Sequence, residues 1–242
     1  MNNKSSYDLF RQVRHPHDVN DYYHTFNKSN ILNVVYWNFF ISSVAEVRGD
    51  IVECGVGRGR SLITIMSLME LHASRQSNFE RQVFALDSFC GFPEPSEQDE
   101  SARQPKKGEW SESPNSQFKY SPENLKKILE KADISQKLID ELNIIKGYFD
   151  ATVDTLSTSK IALLHLDGDL YESIKTPLFL LEHKISVGGI IVLDDFALSS
   201  DGQDPFPGAR AATNEFLKKY KNYSIRESMR GTPYLVKEYK NA

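Results

Sequence analysis

From residue 50 onward the chain alternates short apolar runs with longer stretches in which apolar residues recur every three or four positions. Ile51-Val52-Glu53-Cys54 stops at Gly55, and Val83-Phe84-Ala85-Leu86 stops at Asp87. Leu142–Ile145 runs to Gly147, Ile161–Leu166 to Asp167 and Gly189–Leu193 to Asp194. Apolar runs of this length predict strands buried on both faces. Between them, Ser61–His72 carries Leu62, Ile65, Met66 and Met69 at helical spacing. Tyr171–Ile185 and Ala209–Tyr220 also read as helices, with Pro177 marking a kink or a start. Tyr223–Arg226 and Tyr234–Tyr239 flank Gly231 as a closing hairpin. Strands alternating with helices predict an α/β fold, a parallel sheet covered on both faces.

Two stretches depart from this rhythm. Ile31–Val47 is apolar but contains Asn33, Asn38, Ser42, Ser43 and Glu46, which predicts an amphipathic helix rather than a membrane span. Residues 93–122 are rich in Pro, Ser, Glu, Lys and Gln, with Trp110, Phe118 and Tyr120 as their large apolar groups. A long polar insert directly after a strand end predicts a lid over a site.

Composition narrows the function. The chain has 242 residues, which fits one domain over 1–242, with an N-terminal helical segment (1–47) and the insert (93–122) as its parts. The formal charge of −4 argues against an electrostatic nucleic-acid binder. Cys54 and Cys90 are too few for a disulfide framework, which predicts a reducing compartment. Met1–Val13 has no apolar core of a signal peptide, so a cytoplasmic protein is expected, with no membrane partner.

In open α/β sheets ligands sit beyond the carboxyl ends of the strands, and there the acids and glycines of this sequence gather. Glu53-Cys54-Gly55-Val56-Gly57-Arg58-Gly59 gives a tight turn into a helix whose N-terminus favours an anionic group. That loop suits a nicotinamide cofactor, a nucleotide or the carboxylate of S-adenosylmethionine. Asp87, ending the second strand, is placed to accept hydrogen bonds from ribose hydroxyls. The G-x-G-x-G spacing and the 28 residues from Gly59 to Asp87 both count against a dehydrogenase.

His165-Leu166-Asp167-Gly168-Asp169 closes one strand and Asp194-Asp195-Phe196 the next. Neighbouring strands lie about 4.8 Å apart, so Asp167, Asp194 and Asp195 can converge on one point. Close carboxylates repel unless a cation neutralises them, and oxygen donors select Mg²⁺, Mn²⁺ or Ca²⁺. His165 shares a strand face with Asp167 and is either a contact to metal or substrate or a core histidine. Cys54, in an apolar strand, reads as inert packing.

The stretches GDIVECGVGRGRS (Gly49–Ser61), ALDSFCGFPEP (Ala85–Pro95), LLHLDGDLYES (Leu163–Ser173), VGGIIVLDDF (Val187–Phe196) and PGARAATNEF (Pro207–Phe216) resemble the macrocin O-methyltransferase family. The resemblance implies a class I methyltransferase (Rossmann-like) fold with a seven-stranded, mostly parallel sheet. It implies methyl transfer from S-adenosylmethionine to a hydroxyl of a sugar or glycosylated metabolite, with Mg²⁺ (or Mn²⁺) as cofactor. Carried over, Asp167, Asp194 and Asp195 would be metal ligands and Asp169 the general base, beside Asp167. Asp87 would hold the cofactor ribose, Glu53 and Gly55 would line its methionine end, and Ser61 and Ser88 would join them. Family members are often dimers or larger, and the aromatic N-terminal segment here (Tyr22, Tyr23, Phe26, Tyr36, Trp37, Phe39, Phe40) could supply an interface or a substrate pocket. A catechol-like phenol as acceptor, and a non-catalytic nucleotide- or metal-binding module, remain as alternatives.

Overall fold

The computed structural model describes residues 27–75, 80–113, 116, 118–196 and 204–239. Its core is a seven-stranded sheet of order β3-β2-β1-β4-β5-β7-β6. The strands are β1 (Asp50–Cys54), β2 (Val83–Asp87), β3 (Asn143–Lys146), β4 (Ile161–Leu166), β5 (Ile185–Leu193), β6 (Tyr223–Glu227) and β7 (Pro233–Lys237). β1 to β5 pair in parallel, whereas β7 runs antiparallel to both β5 and β6. This is the expected sheet. All six residues of β4 are buried, as a central parallel strand covered on both faces must be.

The helices are α1 (Lys28–Ser43), α2 (Arg60–Arg75), α3 (Pro122–Lys131), α4 (Gln136–Glu141), the single turn α5 (Phe149–Thr152), α6 (Tyr171–Leu180) and α7 (Pro207–Lys219). Asn27 caps α1 by accepting the Asn30 N–H at 2.9 Å. Tyr36, Trp37, Phe40 and Ile41 of α1 pack with Leu62, Ile65 and Met66 of α2 on one face of the sheet. Ile174 and Leu178 of α6 pack with Ala212 and Phe216 of α7 on the other.

Three expectations need correction. Helix α1 is not one-sided: besides its buried aromatics it exposes Ile31, Leu32, Val34, Val35 and Phe39. The helix expected over Tyr171–Ile185 ends at Leu180, because Ile185 is drawn into the sheet beside Ile161 and opens β5. Helices α3 and α4 were not foreseen, although Ser121, Pro122 and Glu123 form a helix start with Leu125 and Leu129 on its buried side. Tyr22, Tyr23 and Phe26 lie outside the described residues.

Candidate active site

The backbone ladder continues past the strand ends and fixes the site. Gly55 N–H donates to Leu86 O at 2.9 Å, Asp167 N–H to Cys54 O at 2.9 Å and Asp194 N–H to Leu166 O at 3.0 Å. The first residue after each central strand is thus held as firmly as the strand itself. Gly55 has φ +93°, and a β-carbon there would run into the carbonyl oxygen of Asp167. Only glycine lets the loop after β1 pass so close to the loop after β4.

The glycine loop is tied to the second strand. Asp87 Oδ2 accepts the N–H groups of Val56 and Gly57, each at 2.9 Å, and its Oδ1 accepts Phe89 N–H at 2.6 Å. Ser88 Oγ donates to Gly91 O at 2.8 Å and accepts Cys90 N–H at 3.0 Å, which folds the next turn. A cleft of about 840 Å³ opens over these ends. Gly55, Ser61, Asp87 and Ser88 line it, with Tyr148, Phe149 and Asp150 from the end of β3, and Asp167 and Asp169 from the end of β4.

Asp167, Asp194 and Asp195 each place a carboxylate oxygen within 4.8 Å of the others. Asp195 Oδ2 also accepts the Asp169 N–H at 3.0 Å, locking the left-handed turn (φ +59°) that carries Asp169. Burial, then the charge of Asp194, pushes the Asp167 carboxyl well above its ordinary range, with His165 opposing and Asp195 adding to the rise. Burial and the charges of Asp169 and Asp194 do the same to Asp195. Burial and Asp167 raise Asp169 to about 8, against the opposing pull of Asp195 and Arg103. Carboxylate oxygens alone, drawn this close together, fit a hard divalent cation that would relieve their repulsion.

Glu53 does not face the cleft. It is fully buried, and its Oε1 takes both the Ser61 hydroxyl and His165 Nδ1, the latter at 3.1 Å. Ser61 stands between it and the ligand space. His165 is also buried, with Trp37 edge-on at 4.7 Å. Burial lowers its pKa, but the hydrogen bond and charge of Glu53, helped by Asp167 and Asp194, prevail and raise it to about 9. His165 does not line the cleft, and its buried Nε2 has no hydrogen-bond partner among the described residues.

Residues 93–113 of the insert form an ordered wall rather than a loose loop. Phe92 N–H bonds Glu109 O and Gly108 N–H bonds Phe92 O, both at 3.0 Å. Asp99, buried, accepts Tyr171 N–H at 2.7 Å and so caps the start of α6. Arg103 pairs with Glu109 at 2.8 Å and lies among the rings of Phe92, Trp110 and Phe206, 4.8 to 5.4 Å from their centroids. Glu109 and Trp110 complete the cleft wall. These contacts were not readable from the sequence, because Asp99 and Arg103 look like ordinary members of a polar run.

The fold and the site define a class I methyltransferase scaffold. Residues 40–223 match the family model described as macrocin-O-methyltransferase (TylF), and the chain belongs to that family. Among curated relatives it is 32% identical over 175 residues to demethyldecarbamoylnovobiocin O-methyltransferase of Streptomyces niveus, covering 72% of this chain and 60% of that one. It is 26% identical over 174 residues to mycinamicin III 3''-O-methyltransferase of Micromonospora griseorubida, covering 72% and 62%. The chain therefore spans about three-fifths of the length of these relatives. Among solved structures, the O-methyltransferase NovP superposes with a TM-score of 0.69 at 27% identity, covering 86% of this chain and 81% of that one. The calicheamicin methyltransferase CalS11 superposes at 0.73 and 22% identity, covering 98% and 90%, and supports the fold. Among the described residues no helix is long and apolar enough to cross a membrane.

Proposed function

We propose that this chain moves a methyl group from S-adenosylmethionine to a hydroxyl of a sugar or glycosylated small molecule, with a divalent cation, Mg²⁺ or Mn²⁺, at the acid cluster. The observation that carries the reading is that Asp87 and Asp167 line one cleft. A ribose held by the first is then brought against the cluster that includes the second. The volume of about 840 Å³ suits a ligand of nucleoside size with an acceptor beside it.

In this reading Asp87 holds the ribose, while Gly55 and the hydroxyls of Ser61 and Ser88 border the amino-acid end. Glu53 acts through Ser61, fixing its hydroxyl from behind. The sulfonium of S-adenosylmethionine supplies an already activated methyl group. Asp167, Asp194 and Asp195 would hold the cation, which when bound would make an acceptor hydroxyl more acidic. Asp169 takes that proton: it lies beside the cluster, faces the cleft and is held by Asp195. The chain's remaining task is position, which on its own is worth several kcal/mol of barrier. The insert excludes water from the meeting point of the two substrates, as a lid would.

The relatives' names give the acceptors to try, demethyldecarbamoylnovobiocin and mycinamicin III. Incubation with S-adenosylmethionine and Mg²⁺ is expected to add one methyl group to a sugar hydroxyl, read by mass spectrometry and NMR. Calorimetry is expected to show binding of S-adenosylmethionine and none of NAD. The reverse preference would overturn the reading.

A further inference from the structure

Arg230, on the turn between β6 and β7, reaches the acid cluster from outside the donor cleft. Its Nη1 lies 3.7 Å from Asp194 Oδ1, within ion-pair range but too far for a hydrogen bond. The guanidinium lies over the ring of Tyr36, 4.6 Å from its centroid. The turn is fastened to that same tyrosine. The Tyr36 hydroxyl meets Thr232 Oγ1 at 3.2 Å, Thr232 Oγ1 meets Ser228 Oγ at 2.8 Å, and Ser228 Oγ accepts the Arg230 N–H at 3.3 Å. Helix α1 and the hairpin thus hold the guanidinium in one place. Among the described residues its side chain has no hydrogen-bond partner. What it offers the cluster is charge.

We propose that Arg230 is a built-in counter-cation that sets the charge of the metal site. Arg230 offsets one unit of the negative charge that the carboxylates bring to the site. The same positive charge repels any ion that enters, so it holds the site's affinity down. The repulsion scales with the charge of the incoming ion, so Arg230 discriminates against trivalent cations more than against divalent ones. It is a specificity residue for the cation, not a ligand to it.

The inference rests on the cation reading of the acid cluster, and the test separates the two. Mn²⁺ binding is followed by electron paramagnetic resonance of the free ion, and Tb³⁺ binding by its luminescence. The protein is unmodified, R230Q, R230A, R230K or D194N. R230A and R230Q are expected to bind Mn²⁺ about tenfold more tightly and to gain still more for Tb³⁺. R230K, which keeps the charge, is expected to behave like the unmodified protein, and D194N to lose affinity for both ions. Melting curves of each variant establish that it is folded. Mn²⁺ affinity unchanged or weakened in both R230A and R230Q would overturn the inference and leave the cation reading standing. No binding of either ion by the unmodified protein or by any variant would remove both.

Discussion

Asp87 and Gly57 are 30 residues apart in sequence, and the carboxylate of one accepts the backbone N–H of the other at 2.9 Å. The acid assigned to the ribose therefore also shapes the loop assigned to the methionine end. Loss of the carboxylate removes two jobs at once. Asp87→Ala is expected to weaken S-adenosylmethionine binding by at least tenfold, since hydrogen bonds to a charged group contribute about 1.5–3 kcal/mol each. Calorimetry measures this directly, and an unchanged Kd would remove Asp87 from the donor site.

On the proposed function, Asp169 and the three-acid cluster have separable roles. Asparagine tolerates the left-handed backbone found at this position, so Asp169→Asn keeps the turn while removing the base. Turnover is expected to fall by about 10²–10⁴-fold, with Mn²⁺ affinity nearly unchanged. A matching loss of metal affinity would place Asp169 among the ligands instead.

On the proposed function, the pH dependence of cation binding follows from the raised acids. A carboxyl whose folded pKa exceeds its unfolded value loses folded-state stability as pH rises between the two. Asp167 and Asp195 are raised, by burial first and then by neighbouring charge. The cation-free protein is therefore destabilised as pH rises above the ordinary aspartate range, and an entering cation must displace protons below the raised values. Mg²⁺ is expected to raise Tm more at pH 8 than at pH 5, and EDTA to stop turnover. Equal gains in Tm at both pH values would contradict the cluster's assignment.

The insert is pinned at Asp99. A β-carbon on Gly208, at the start of α7, would collide with the Asp99 carboxylate that caps α6. Gly208→Ala and Asp99→Ala are each expected to destabilise the fold by about 1–3 kcal/mol, by leaving a buried group without its partner. Both are also expected to expose residues 93–113 to limited proteolysis. Denaturant melts and digestion patterns like those of the unmodified protein would show that the insert is anchored elsewhere.

Cys54 is buried in β1, and burial, with Glu53 and Asp87 adding to it, holds its thiol well above the ordinary range. Cys90 is exposed. Iodoacetamide on the native protein is expected to label Cys90 alone, and both residues after denaturation. Rapid native labelling of Cys54, detected by peptide mass spectrometry, would contradict its place in the core.

Much of this architecture was legible because it rests on local pattern. The apolar runs of β1, β2, β4 and β5 end where an acid or glycine follows, and the ladder continues straight into those residues, so Gly55, Asp87, Asp167 and Asp194 could be placed from the sequence. What escaped depends on partners distant in the chain. Glu53 reads as a strand-end acid, but its partner His165 is 112 residues away and draws it into the core. Arg230 carries no motif at all, and its position beside Asp194 exists only because β7 folds back antiparallel on β5. The end of α6 was misplaced because burial of Ile185 beside Ile161 outweighs the helical spacing of its neighbours.

Because the aspartates hang from backbone fastened into the centre of the sheet, whereas residues 93–113 of the insert are anchored outside it, the two parts can change separately. Substitutions there can reshape the cleft wall at Glu109 and Trp110 without moving the strand ends that carry Asp87 and Asp167.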